Sequence, residues 1–158
     1  MNGPEPAASR LSHAYILSGP AGAARRAAAD RLALSYVCTG ENPPCGVCSG
    51  CRKAAAGIHP DIVRVGEDGK DVNVAAVRAL RSDAYILPNE APRKVYQIEN
   101  AGSMNASAQN AMLKLLEEGP AYAAFLLLTD NAAALLPTVR SRCETLRLDR
   151  LAGEAPDP

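Results

Sequence analysis

Ala14-Tyr15-Ile16-Leu17-Ser18-Gly19-Pro20-Ala21-Gly22-Ala23-Ala24-Arg25-Arg26 is the stretch on which the reading of this chain turns. Its first five residues form an apolar run broken at Gly19-Pro20, the pattern of a short buried strand. From Ala23 to Val37 the Ala, Arg and Leu content favours helix, and Leu32, Leu34, Tyr36 and Val37 make its last turns apolar. Strand, glycine-bearing turn and helix form one unit of an α/β fold, and the remaining sequence repeats the alternation. Asp61-Ile62-Val63-Arg64-Val65 predicts a second strand, ended by Gly66-Glu67-Asp68-Gly69. Asn73 predicts the cap of a helix with Val74, Val77, Leu80 and Ala84 at helical spacing, and Pro88 and Pro92 punctuate the loop after it. Lys94–Ile98 predicts a third strand. Asn105 caps a further helix, in which Ala108, Ala111, Met112, Leu115 and Leu116 share one core-facing side until Gly119-Pro120 stops it. Ala123–Leu128 is a near-continuous apolar strand, the mark of a sheet covered on both faces, and Leu146-Arg147-Leu148 predicts a fifth. The expected fold is a parallel sheet with right-handed helical crossovers.

The turn after the first strand stands where a phosphate-binding loop of the form G-x-x-x-x-G-K-[ST] would. In that motif backbone amides cradle phosphate, the lysine reaches the outer phosphates and the hydroxyl holds Mg²⁺. Aligned on it, Gly19 remains and Gly22 lies within the turn, but Ala24, Arg25 and Arg26 occupy the glycine, lysine and hydroxyl positions. Ala24 obstructs close backbone approach if that position needs a positive φ. Arg does not replace Lys in so tight a loop, and Arg26 puts a cation where a Mg²⁺ ligand belongs. The third strand should end in a metal-binding acid followed by a general base. Here it ends in Glu99-Asn100, and an amide has no useful pKa. Two sites altered independently predict no productive ATP binding and no hydrolysis. A glycine-containing βα turn that was never a phosphate loop is the plainer reading.

Cys38, Cys45, Cys48 and Cys51 form C-x6-C-x2-C-x2-C, inside an excursion Cys38–His59 dominated by Gly, Pro and Cys. Gly46 and Gly50 are expected to supply its turns. Four thiolates so spaced close a tetrahedral zinc site with no open position for catalysis. Such a site can fold a loop too short to have its own core. Unligated thiols, a redox Cys-x-x-Cys pair and an iron–sulfur cluster are the other readings.

The chain has 158 residues, one domain's worth. Seventeen basic residues balance seventeen acidic ones, so net charge does not steer it to DNA. With no Trp and a single Phe it offers no base-stacking surface, which weakens a zinc-ribbon nucleic-acid binder. Met1–Ser12 has no apolar segment of the kind that directs secretion, and no apolar run approaches the ~20 residues of a membrane span. With five cysteines, four of them clustered, a reducing cytoplasmic setting is expected, with no membrane partner. The expected organisation is a flexible arm over 1–11, a core over 12–150 carrying the module at 38–59, and a linker over 151–158.

Four separated motifs carry a family resemblance. Arg10–Pro20 resembles the opening of bacterial clamp-loader subunits of DNA polymerase III, and Cys45-Gly46-Val47-Cys48-Ser49-Gly50-Cys51-Arg52 resembles their zinc module. Asn105–Pro120 is similar to their most recognisable segment, and Ser141-Arg142-Cys143 matches their Ser-Arg-Cys motif. The altered phosphate loop resembles the delta' type; the ATP-hydrolysing tau/gamma type is the alternative. The resemblance implies an AAA+ core with a five-stranded parallel sheet in the order 5-1-4-3-2. It implies a non-catalytic subunit in a five-membered ring with tau/gamma and delta subunits, which opens a sliding clamp and places it on primed DNA. It also implies lid and collar domains beyond the linker.

On the residues alone, Arg142 is a surface arginine or an intrachain ion pair. The resemblance makes it an arginine finger for the γ-phosphate held by a neighbouring subunit, a task suited to a permanently charged fork. Thr129 stands at the family's sensor position and is read as structural, and Cys143 as a small buried hydrophobe. His13 borders the loop's pocket or is a satisfied structural histidine. Arg25, Arg26 and Arg31 either bind an anion at the helix N-terminus or line a solvated face.

Overall fold

The computed structural model describes residues 11–148. The linker expected over 151–158, and all of the arm expected over 1–11 except Leu11, lie outside them. Five strands, β1 (Ala14–Ser18), β2 (Ile62–Val65), β3 (Lys94–Ile98), β4 (Ala123–Thr129) and β5 (Glu144–Arg147), form one parallel sheet in the order β2-β3-β4-β1-β5. Read from its other edge, this is the expected 5-1-4-3-2. β1 and β3 match their sequence limits. β5 begins earlier than expected, because the backbone of Glu144 and Thr145 pairs with Tyr15 and Ile16 although both side chains are exposed. Strand pairing there overrides the polar pattern.

Side chains alternate across the sheet, so each strand feeds two cores. Ile16, Tyr96, Ile98, Phe125 and Leu127 pack against α3 (Val74–Ala84) and α4 (Ala106–Glu118). Tyr15, Leu17, Val95, Ala124, Leu126 and Leu128 pack against α1 (Ala23–Val37) and α2 (Ser49–Ala55). β4 lies at the centre and is buried at all seven positions, as its unbroken apolar run requires. Asn73 and Asn105 each accept the N–H three residues on, at 2.9 Å, and so cap α3 and α4. α5 (Pro137–Arg140) is a single turn before β5.

α2 was hidden in the cysteine excursion. Cys48 caps it, its sulfur accepting from Cys51 N at 3.3 Å, so one residue serves a helix start and the cysteine pattern together. Gly46, at φ +80°, supplies a turn as expected. Gly50 does not: it lies inside α2, where a Cβ would collide with the Val37 carbonyl at the end of α1. Its small size is what lets the two helices touch.

Asp61 pins the entry to β3. Its fully buried carboxylate accepts from the backbone N–H groups of Asn89, Glu90 and Ala91 at 2.5, 2.8 and 2.8 Å. Burial alone would raise its pKa, but these donors outweigh it and hold the carboxyl below its ordinary value. Folding is therefore favoured by the charged form. That contribution is full above the unfolded pKa of about 3.9 and disappears as pH falls through the lower native value. Asp61→Asn is expected to cost about 1.5–3 kcal/mol at neutral pH, read from urea unfolding, and to flatten the acid limb of the stability curve.

Candidate functional site

A cleft of about 550 Å³ opens at the carboxyl ends of β1, β3 and β4, lined by Gly22, Arg25, Arg26, Asp68, Glu99 and Asn100 among others. This is where an open parallel sheet receives ligands. The residues singled out in the glycine-bearing turn and at the end of β3 meet here, and they are occupied with one another. Arg25 is buried, and its Nη1 donates to Gly19 O at 3.0 Å and to Asp130 Oδ1 at 2.9 Å, while Nη2 donates to Glu99 O at 3.3 Å. Arg26 forks onto Glu99, with Nε to Oε2 at 3.1 Å and Nη2 to Oε1 at 2.9 Å. Arg64 Nε adds a contact to the same Oε2 at 3.3 Å. Both Glu99 oxygens therefore face guanidinium groups. Burial still keeps the Glu99 pKa above its ordinary value, against the pull of Arg26 and Arg64. Asn100 Nδ2 donates to the carbonyls of Gly69 and Lys70, both at 3.1 Å, and ties the loop after β2 to the end of β3. The steric objection to Ala24 does not arise. It sits in the first turn of α1, outside the positive-φ positions, and Gly22 at φ +141° makes the turn instead. Arg31 lies further along α1 on an exposed face, so the three arginines do not converge on one anion site.

The four cysteines converge. Sγ atoms of Cys38, Cys45, Cys48 and Cys51 all lie within 4.8 Å of one another, and those of Cys38 and Cys48 are 3.9 Å apart. Thiolates at about 2.3 Å from a zinc ion stand roughly 3.8 Å apart, so the donor set fits. Backbone N–H groups of Gly40, Cys45, Val47 and Cys48 point at the sulfurs of Cys38 and Cys45 from 3.2–3.4 Å, as around anionic sulfur. The N–H groups of Thr39 and Cys51 hold the Cys48 thiol down to about 5, while burial pushes Cys51 up to about 12.

Arg142 follows α5 and precedes β5, at the amino ends of the strands, because β5 starts level with Tyr15. The cleft is at the other end of the sheet, with β1 and its roughly 16 Å of rise in between. Arg142 is half exposed and pairs with Glu117, Nη2 to Oε2 at 2.8 Å. His13 lies at that same amino end, with Nε2 at 2.8 Å from Leu116 O, and does not border the cleft; its satisfied structural reading holds. Buried Thr129 exchanges hydrogen bonds with the backbone of Asn131, a structural use. Cys143 packs against the core, and burial pushes its thiol up to about 12.

Asp130, Glu117 and Gln109 went unread in the sequence. Gln109 is buried, donating to Met104 O at 3.0 Å and accepting from Leu136 N at 2.7 Å. Gln109 and Glu117 lie in the family segment Asn105–Pro120, but only its apolar face was given a role, so that segment was their signal.

A family model described as DNA polymerase III, delta subunit, matches residues 5–152. The chain belongs to this family. It is 37% identical over 147 residues to DNA polymerase III subunit delta' of Bacillus subtilis, a match that covers 92% of this chain and 45% of that protein. It is 39% identical over 138 residues to the delta' subunit of Pseudomonas aeruginosa, covering 84% of this chain and 42% of the relative. To the tau subunit of Bacillus subtilis it is 30% identical over 148 residues, covering 92% and 26%. The chain thus spans less than half the length of these relatives. A solved structure of a gamma subunit-related protein of DNA polymerase III from Thermotoga maritima shares the fold at TM-score 0.65 and 22% identity, covering 90% of this chain and 45% of that one. The four motifs pointed to this family, and the two delta' subunits match the chain at higher identity than the tau subunit does. Among the described residues, no helix is long and apolar enough to cross a membrane.

Proposed function

We propose that this chain acts in the DNA polymerase III clamp loader as a delta'-type subunit that does not hydrolyse ATP. It joins tau/gamma and delta subunits in a five-membered ring and, through that ring, helps place the sliding clamp on primed DNA. The observation that carries this reading is the closed set of ion pairs in the phosphate loop. Arg25 and Arg26 stand where a working loop needs lysine and a hydroxyl, and they are paired with Asp130 and Glu99. A tau/gamma-type ATPase would have to break both pairs before it could hold Mg²⁺ and phosphate. Arg142, at the opposite end of the sheet from the cleft, then acts on ATP held by a neighbouring subunit. Cys38, Cys45, Cys48 and Cys51 hold one structural zinc, which crosslinks the module and supplies no chemistry to the cleft.

ATP turnover by the purified full-length subunit is expected to be indistinguishable from a protein-free blank. Mg²⁺-dependent turnover abolished by Arg25→Ala would favour the ATPase reading instead. Clamp loading on primed DNA should require the subunit in a reconstituted complex, and loading at an equal rate without it would remove the assigned role.

A further inference from the structure

Glu117 lies in the last turn of α4, at the charged end of a segment whose apolar face is already accounted for by the core. Leu115 and Leu116 before it are buried, so its backbone stands on a rigid support. Its Oε2 accepts from Arg142 Nε at 3.0 Å and lies 2.8 Å from Nη2, while Ser141 Oγ accepts from Arg142 Nη1 at 3.2 Å. We propose that Glu117 is a positioning residue that aims the guanidinium of Arg142 outward, at the phosphate of a neighbouring molecule. This rests on the reading of Arg142 as a group that acts in trans.

The donor count supports it. A guanidinium carries five N–H groups in a fixed planar fork. Glu117 holds Nε by a hydrogen bond and Nη2 by an ion pair, and Ser141 accepts from Nη1. At least one N–H is left on each of Nη1 and Nη2, enough to meet two phosphate oxygens. Glu117 therefore does not compete with an incoming phosphate for the donors that phosphate needs. It removes the freedom of a long side chain on an exposed surface, so that the fork is already oriented when a neighbour docks. Orientation of this kind affects the reacting state more than the affinity for ATP. Glu118 is the contrast: it faces a shallow hollow beside Arg81 and Lys114, away from Arg142's contacts.

The test uses the full-length subunit in the reconstituted clamp loader, with ATP hydrolysis measured at saturating clamp and primed DNA. Glu117→Ala is expected to lower kcat by about threefold to tenfold at the adjacent site with KM for ATP unchanged. Glu117→Gln keeps an acceptor oxygen and should lose less. In an Arg142→Ala background, Glu117→Ala should add nothing, and Glu118→Ala should match wild type throughout. If Glu117→Ala disturbs ring assembly, the near-isosteric Glu117→Gln carries the comparison. Wild-type kcat for both Glu117 variants, with Arg142→Ala slow, overturns the role of Glu117 alone. A rise in kcat, or losses that add to those of Arg142→Ala, overturns it too. Arg142→Ala at the wild-type rate removes the trans reading and this inference with it.

Discussion

Cys48→Ser is expected to yield protein without its zinc, in which the segment from Cys38 to His59 is unfolded. Binding of a structural zinc by four thiolates is worth roughly 10–16 kcal/mol at neutral pH, and in small modules that energy is folding energy. Without it, the segment keeps only α2, seven residues long, with Gly50, Cys51 and Ala54 buried. A helix that short has no stability of its own. The damage extends inward, because α2 covers the end of α1. Gly50 packs on the Val37 carbonyl, and Ala54 belongs to the same core as Tyr36 and Val37. Loss of α2 wets that face and lowers the stability of the whole domain. Metal analysis should find one zinc per chain in the wild type and none in the variant. Acid should release the zinc, because each cysteine binds it as a thiolate and protons compete with the metal for all four sulfurs. Folded wild-type protein that holds no zinc and offers four freely alkylated thiols would overturn the assignment.

What the sequence disclosed, and what it withheld, divides along physical lines. Ala23–Val37 and Lys94–Ile98 could be read to the residue, because composition and flanking Gly or Pro pointed the same way as the packing. The sheet order was supplied by resemblance, since periodicity says which segments are strands and not which strands are neighbours. α2 was missed because its cap is a cysteine and its start carries a glycine, both of which read as loop. The substituted positions of the phosphate loop were legible one by one. Their partners were not: Arg25 meets Asp130 across 105 residues and Arg26 meets Glu99 across 73, and no local pattern announces such pairs. The same holds for Arg142 and Glu117, 25 residues apart. Asp61 was visible only as the first residue of a strand, whereas its carboxylate closes a loop 28–30 residues away.

Arg142→Ala in the full-length subunit should slow hydrolysis at one ATP site of the assembled loader and leave the subunit folded. The guanidinium and its partner are both substantially exposed, at 45% and 37% of their side-chain surface. A pair of that kind is worth at most about 1 kcal/mol, so melting temperature and ring assembly should barely move. An arginine finger, by contrast, is worth roughly 10³–10⁵ in rate at the site it serves. Turnover of the whole ring should fall by less, because the other sites keep their own catalytic groups. The defect cannot come from this chain's own cleft. Arg142 stands at the amino ends of the strands, and the cleft lined by Arg25, Arg26 and Glu99 lies at the carboxyl ends. Arg142→Lys should rescue poorly, since an ammonium supplies charge without the planar fork that spans two phosphate oxygens. The measurement is clamp- and DNA-stimulated ATP turnover of rings rebuilt with wild-type or variant subunit at matched occupancy. Equal rates would reduce Arg142 to half of a surface ion pair with Glu117. A loss shared by Arg142→Ala and Arg142→Lys, with unchanged melting, is expected only of a guanidinium that completes a neighbour's site.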